Sequence, residues 1–369
     1  MISNDGPVSA QRTSGGVRLG LIEGDGIGPE IVDATRRVVD EALSVVSADP
    51  VRWVPLPLGH KAIAEHGVPV PDFTLDQLEE LPGWVMGPHD SASYPAQVRG
   101  KAPGAIIRKR FDLFANIRPA RAFRGVRAVT PGMDLVIVRE NSEGLYGDRN
   151  MYAGAGEFMP TPDVAMSVGV VTRTACERIA HMACRLAKDR RKRVTVVHKA
   201  NVLTLTTGLF LNVCREVAQH YPDVAVDDEH VDAMAAHLVR RGDTFDVVVT
   251  ENLFGDILSD LAGELSGSLG LAASLNCSEN RAMAQAAHGA APDIAGHNRA
   301  NPTALMLSAA MLLRWLAEHG HGASLGLAAK RIEHSISETF AAGVATADLG
   351  GRASTSEFTE RVLAQLRRL

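Results

Sequence analysis

The stretch Gly20–Glu30, "GLIEGDGIGPE", decides which kind of α/β protein this is. It follows the apolar run Val17–Ile22 and precedes a helical pattern over Glu30–Leu43, where a dinucleotide-binding glycine loop would sit. The dinucleotide fingerprint is G-x-G-x-x-G, with an acid about 20 residues further on for the ribose. Here the glycines fall at Gly24, Gly26 and Gly28, so the third comes one residue early, and Pro29 follows it. Proline suits a first helical turn but removes an N–H that a phosphate cradle would use. Asp25 lies inside the loop and would repel a pyrophosphate, while Asp40 and Glu41 fall within the helical pattern. The loop therefore reads as a tight strand-to-helix turn and argues against a Rossmann fold.

Outward from this loop, strand-like runs alternate with helical patterns. Leu135–Val138 reads as a strand. The helical stretch Thr174–Lys188 leads into Val194–Val197, and Leu209–Tyr221 leads into Val224–Asp227. Phe245–Thr250 is a strand candidate, and Gly255–Gly263 opens a helix. Such alternation predicts an α/β fold with a largely parallel core. The segment Tyr146–Pro162, rich in Gly, Met and Pro, breaks the pattern and reads as an arm or lid.

The 369 residues are 46% hydrophobic and 22% charged, enough for one large or two medium domains. A net charge of -5 gives no general attraction to nucleic acid or to an anionic membrane. The run Lys188–Arg193 reads as a solvated helix end, because no second basic cluster joins it. No apolar stretch approaches the roughly 20 residues of a membrane-spanning helix. Cys176, Cys184, Cys214 and Cys277 lack CxxC spacing and read as buried thiols of a reducing compartment. Residues 1–16 read as a disordered extension without a secretory signal, and the protein as cytoplasmic.

The chemistry concentrates in five places. Asp256 and Asp260, four apart in "TENLFGDILSDLAG", share one helix face. Ile257, Leu258 and Leu261 make much of that helix apolar. Two carboxylates there call for a cation, and hard oxygens suit Mg²⁺ or Mn²⁺. Asp232 could complete the set through the fold or through a second subunit. Arg108, Arg118 and Arg139 offer planar forks that match carboxylates, which suggests a polycarboxylate ligand. Singly, each arginine would more often be a surface residue. Lys199, just past a strand, and Tyr146, ending "SEGLY", are an acid/base pair in waiting. Lysine's reference pKa of about 10.4 must fall for it to act near neutrality, and a nearby divalent cation would help. Finally, the Gly-, Ala- and Pro-rich loop Ala287–Ala304 offers backbone amides, the His288 imidazole and the Asp293 carboxylate.

Taken in order, "GDGIGPE", "RENSEGLY", "HKANVL", "NLFGDILSDLAG" and "HGAAPDIAGHNRANPTA" resemble the β-decarboxylating dehydrogenases of 3-substituted malates. That family includes isocitrate, homoisocitrate, 3-isopropylmalate and tartrate dehydrogenases, and the resemblance runs from about Val17 to the C-terminus. It implies a two-domain α/β fold, not a Rossmann fold, with the site in the interdomain cleft. One domain would combine 17–113 with 267–369. The other, 114–266, would be inserted, with an arm near 146–170 and the contacts of a homodimer, which could pair into tetramers.

The resemblance also implies residue roles. Arg108, Arg118 and Arg139 would grip the malate carboxylates, with Ser91 and Asn201 among the substrate contacts. Tyr146 would protonate the enolate carbon. Lys199 and Asp232 would reach in from the partner subunit, and Asp232, Asp256 and Asp260 would hold Mg²⁺ or Mn²⁺. Ile27, His288, Gly289, Ala291, Asp293, Ile294 and Asn301 would bind NAD. Asp293 would accept hydrogen bonds from the adenosine ribose and repel the 2′-phosphate of NADP.

"RENSEGLY" and "HKANVL" look more like the isocitrate and homoisocitrate branch than the isopropylmalate branch. The specificity stretch Lys101–Arg108 nevertheless lacks the Ser and Asn of isocitrate enzymes, the extra Arg of homoisocitrate enzymes near Ala105, and the leucines of isopropylmalate enzymes. An anionic 3-substituted malate is the expectation, with Arg99 or Lys101 as the extra cation. A 3-isopropylmalate, tartrate/malate or specialised biosynthetic substrate stays open. Gln285-Ala286-Ala287 stands where relatives usually carry an acidic segment near the nicotinamide ribose. A non-catalytic regulatory subunit would be expected to lose Tyr146, Lys199 or the aspartates, and all five are present.

Overall fold

In the computed structural model, the description covers residues 16–100, 102–146, 151, 154 and 156–368. The expected extension over 1–16 falls, apart from Gly16, outside the described residues, as does Lys101. Twelve strands occur among them. In chain order they are β1 (Arg18–Ile22), β2 (Arg52–Pro55), β3 (Gly83–Met86), β4 (Ala115–Arg121), β5 (Asp134–Glu140) and β6 (Glu157–Thr161). Then follow β7 (Val164–Ser167), β8 (Arg193–His198), β9 (Ala225–His230), β10 (Val247–Thr250), β11 (Leu275–Cys277) and β12 (Ala282–Ala284).

Ten of these form one sheet in the order β2-β1-β3-β12-β11-β4-β5-β10-β8-β9. The two flanks are parallel, as alternation with helices requires. The middle is not: β12–β11, β11–β4 and β4–β5 are antiparallel. Three reversals mean that the two parallel flanks run in opposite directions. The expected parallel core is therefore two parallel groups joined back to back. The short strands β11 and β12, which no pattern in the sequence marks, make the joint.

The central strands are apolar on both faces because helices cover both. Val247, Val248, Val249 and Thr250 of β10 are all buried. The first helix, Gly28–Val45, has Pro29 in its first turn and buries Ile31, Val32, Thr35, Val38, Val39, Ala42 and Leu43 along one face. It packs against the helices Thr303–Glu318, Ala323–Ala341 and Thr355–Leu366. The last of these starts with a capping box between Ser354 and Glu357. Helices Arg173–Lys188 and Thr206–Ala218 pack together beside the other flank. No described helix is long and apolar enough to cross a membrane, and Cys176, Cys184, Cys214 and Cys277 are all free and buried.

The arm expected near 146–170 contains the hairpin β6–β7, which among the described residues pairs only with itself. Every residue of both strands is exposed. Part of the expected arm (147–150, 152, 153 and 155) lies outside the described residues.

The opening loop is explained by its amides. Asp25 N–H donates to Pro88 O (2.7 Å), Ile27 N–H to Ala290 O (2.9 Å) and Gly28 N–H to Asp25 O (2.9 Å). Donors already used this way cannot cradle a phosphate. Gly26 sits at φ +57°, and a Cβ there would lie 2.0 Å from Ala290 O. The glycine thus serves backbone packing. Asp25 is buried and accepts from His60 N–H (2.8 Å), Asp90 N–H (2.9 Å) and the Tyr94 hydroxyl (2.7 Å). It ties the loop to the segment carrying Ser91.

Candidate active site

β4 and β5 pair so that Asn116 lies opposite Arg139 and Arg118 opposite Ile137. Alternation along a strand puts Asn116 and Arg118 on one face of the sheet. The helix Asn252–Ser266 crosses that face, packing on β4 and β5. Gly255 makes the approach possible, because a Cβ there would come within 2.6 Å of Arg139 Cγ. The helix therefore presents Asp256 and Asp260 directly to two arginines.

Arg139 is buried. Its Nη1 pairs with Asp256 Oδ1, and Nε and Nη2 donate to Asn252 Oδ1 at 3.0 and 2.7 Å. Arg118 Nη2 lies 3.4 Å from Asp256 Oδ1, and Nη1 reaches Asp260 Oδ1 at 3.2 Å and Ser259 Oγ at 2.7 Å. Its Nε donates to Asn116 Oδ1 at 2.8 Å. The Tyr146 hydroxyl donates to Asp256 Oδ2 at 2.8 Å. Tyr146 ends a pinned turn: Glu140 accepts from the Ser142 and Glu143 amides, Glu143 accepts from Thr172 N and Oγ1, and Asn252 Nδ2 donates to Glu143 O.

These contacts set the protonation states. Burial and the neighbouring Arg139 pull Arg118 down to about 10. Burial alone would raise the Asp256 carboxyl, but Arg139, Arg118 and the Tyr146 hydroxyl outweigh it and hold Asp256 below its usual range. Asp260 goes the other way. Burial, and behind it the Asp256 charge, keep it above its usual range against the pull of Arg118. Two carboxylates one helical turn apart, one resisting its charge, have the donor set and the electrostatic need of a hard divalent cation.

Lys199 and Asp232 form a separate pair. Lys199 follows β8, and Asp232 lies in the first turn of the helix Val231–Arg241. Lys199 Nζ bonds Asp232 Oδ1, with side chains 26% and 68% exposed. Among the described residues, no three His, Cys, Asp or Glu gather as a metal-holding group. Asp232 therefore does not join Asp256 and Asp260 within this chain. Asn201 is exposed in the turn after Lys199, and Ser91 opens a short 3₁₀ turn. Arg108 is half-buried on the helix Pro103–Arg110, beside His89. Burial, followed by the Arg108 charge, lowers the His89 imidazole to about 4.

A second candidate site is a cavity of about 390 Å³, within the range that holds small organic ligands. Ile27, His288, Gly289, Ala291, Ile294 and Asn301, six of the seven residues expected to bind NAD, line it. Asp293 is exposed on the 3₁₀ turn Pro292–Ile294, outside the cavity lining. Burial keeps the His288 imidazole below its usual pKa, so it lines the cavity uncharged. Sequence reasoning missed Asp348, which accepts from Ser268 Oγ (2.8 Å) and Asn301 Nδ2 (3.0 Å). It also missed Asn116, Asn252 and Ser259, which orient the two arginines. Apolar walls of Ile27, Leu269 and Ile294 beside the Asp348–Asn301 pair fit a nucleoside.

Comparison with known proteins finds relatives over nearly the whole chain. Residues 18–362 match the family model described as isocitrate/isopropylmalate dehydrogenase. The isocitrate/homoisocitrate dehydrogenase of Thermus thermophilus is 44% identical over 355 residues, covering 95% of this chain and 99% of that one. A 3-isopropylmalate dehydrogenase of Saccharolobus solfataricus is 38% identical over 346 residues, covering 94% and 98%. The crystal structure of isocitrate dehydrogenase from Methylococcus capsulatus superposes with a TM-score of 0.84 at 39% identity, covering 95% and 99%.

Proposed function

We propose that this chain, which belongs to the isocitrate/isopropylmalate dehydrogenase family and is a decarboxylating dehydrogenase, oxidises and decarboxylates an anionic 3-substituted malate of the isocitrate/homoisocitrate type. NAD is the oxidant in this reading, and Mg²⁺ or Mn²⁺ is the metal. The observation that carries it is the arrangement of Arg118, Arg139 and Tyr146 around Asp256 and Asp260. Two guanidinium forks beside a carboxylate pair can hold a substrate that is itself a polycarboxylate. The name of the Thermus relative supports the isocitrate/homoisocitrate choice.

Asp256 and Asp260, with Asp232 of a second copy, would hold the cation, which supplies Lewis acidity at the 2-hydroxyl and at the enolate oxygen. Lys199 Nζ would take the proton of the 2-hydroxyl, and NAD, held in the cavity lined by Ile27, His288 and Asn301, would supply the acceptor for the hydride of C2. Arg118 and Arg139, with Arg108, hold the carboxylates, so that CO₂ departs in a fixed orientation. Tyr146 Oη then gives a proton to C3.

The homodimer is supported by apolar side chains left exposed after Lys199, on the helix Asn252–Ser266 and on the hairpin. Leu205 is 86% exposed, Val202 65%, Ile257 59% and Met159 61%. A division into domains 17–113 with 267–369 and 114–266 goes with this reading, and the free thiols suit a cytoplasmic, reducing compartment.

The test is a substrate panel of isocitrate, homoisocitrate, 3-isopropylmalate and tartrate with NAD and Mn²⁺, following NADH. The fastest turnover is expected with isocitrate or homoisocitrate. Much faster turnover of 3-isopropylmalate would refute the anionic-substrate assignment.

A further inference from the structure

We infer that His198 is a positioning residue, whose imidazole caps the turn that carries Lys199 and thereby aims its Nζ at the reacting hydroxyl. The inference rests on the role given to Lys199 above. His198 ends β8 and is buried. Its Nδ1 accepts a hydrogen bond from Ala200 N–H at 3.0 Å, and its Nε2 lies 3.1 Å from Asp228 Oδ2 on the adjacent strand β9. An Nδ1 that accepts must be unprotonated, so the proton sits on Nε2 and is donated to Asp228. Asp228 Oδ1 in turn accepts from Arg215 Nη2 at 2.7 Å. Arg215 lies in the last turn of the helix Thr206–Ala218, which follows the Lys199 turn. One hydrogen-bonded chain therefore closes the crossover from β8 through the turn and helix to β9.

The turn is held at further amides on either side of Ala200. Lys199 N–H donates to Thr207 Oγ1 (3.2 Å), and Val202 N–H and Leu203 N–H both donate to Lys199 O (3.0 and 2.9 Å). Ala200 N–H is the donor that secondary structure leaves over at the end of the strand, and the imidazole takes it. An acceptor on residue i bonded to the N–H of residue i+2 is the geometry of an Asx turn. The side chain does for this turn what an Asn or Asp would do. With the backbone on both sides of Lys199 held, the half-exposed side chain has a fixed root and only its own torsions to spend. Misplacement of a catalytic group by about 1 Å can cost about 100-fold in rate.

A buried histidine that merely satisfied its neighbours would affect stability and leave kcat alone. Two variants separate the possibilities. His198→Leu removes the acceptor. His198→Asn restores an oxygen acceptor at the i, i+2 position but is too short to reach Asp228. His198→Leu is expected to lower kcat at saturating substrate by about tenfold or more, with the KM for NAD within about twofold. His198→Asn is expected to recover kcat to within about threefold of the parent, while its thermal midpoint stays lowered by loss of the Asp228 bond. If His198→Leu does not fold, His198→Gln replaces it with the same expected loss, since the longer amide places no acceptor at the Ala200 amide. Unchanged kcat in His198→Leu, or an equal loss in His198→Asn, overturns the inference. Lys199→Ala run alongside tells which statement has failed: near-normal turnover there defeats the role of Lys199 itself.

Discussion

Two acid–base clusters lie on this chain, and they are built differently. The Arg118–Arg139–Tyr146–Asp256–Asp260 cluster draws on β4, β5, the turn after β5 and one helix, with both arginines largely buried. Among the described residues, the Lys199–Asp232 pair joins no second ion pair, and its aspartate is 68% exposed. Buried charges must be matched by partners folded around them, whereas an exposed ion pair adds little to stability. The arginine cluster is thus matched within one chain, whereas the Lys199–Asp232 pair faces outward, free to meet a group that this chain does not supply. Three carboxylates are proposed for one hard cation, yet among the described residues no three gather within this chain. The proposed site, split between subunits, would account for both.

The largest expected effect breaks both clusters in turn. Lys199→Ala and Asp256→Asn should each lower turnover by about 10³-fold or more, as loss of proton transfer or of cation binding predicts. Near-normal kcat in either variant would mean that its cluster is not part of the reaction. Coenzyme choice comes next. With Asp293 intact, kcat/KM should favour NAD over NADP, and Asp293→Lys should shift that ratio toward NADP by about tenfold or more, because a cation would replace a charge that repels the 2′-phosphate. Comparable kcat/KM for both coenzymes in the parent would remove Asp293 from the account.

The smallest effect concerns the ground beneath Tyr146. Burial, with the Glu143 and Glu140 charges behind it, raises the Glu251 carboxyl to about 7. An acid whose folded pKa exceeds its unfolded one binds its proton more tightly when folded. Its stabilising contribution is present below the unfolded value of 4.5 and is lost as pH rises to about 7. Glu251→Gln should therefore leave the thermal midpoint near that of the parent at pH 4.5 and raise it by a few degrees at pH 8. An equal or lower midpoint at pH 8 would show that the Glu251 charge is better compensated than its surroundings indicate.

Much of the site could be read from the residues because chemistry imposes spacing. The Asp256–Asp260 pair needs one helix face, and a helix supplies it every fourth residue. The arginines announced a polycarboxylate by type. What was illegible is what orients them. Asn252, Ser259 and Asn116 are ordinary polar residues, and only the crossing of the helix over β4 and β5 brings them to the guanidiniums. Asp348 is in the same position: it reaches Asn301 across 47 residues of chain, a distance no local pattern encodes. In the fold, β11 and β12 have three residues each, too short for an alternation to be visible, yet they join the two flanks into one sheet. The glycine loop shows the opposite limit. Its unsuitability for phosphate could be argued from spacing and Pro29, but the use of Gly26 against Ala290 appears only in three dimensions.

The split site is tested most directly by mixing two dead variants. Lys199→Ala and Asp256→Asn protein, each inactive alone, are unfolded together, refolded and assayed with the substrate that the panel selects. If Lys199 of one subunit serves Asp256 of the other, half of the randomly formed dimers are mixed. Each mixed dimer carries one intact site of two, so about a quarter of the parent activity should return. If both residues serve the same site within one chain, every site in the mixture lacks one of them. No activity above that of the separate variants would return, and the account would be contradicted.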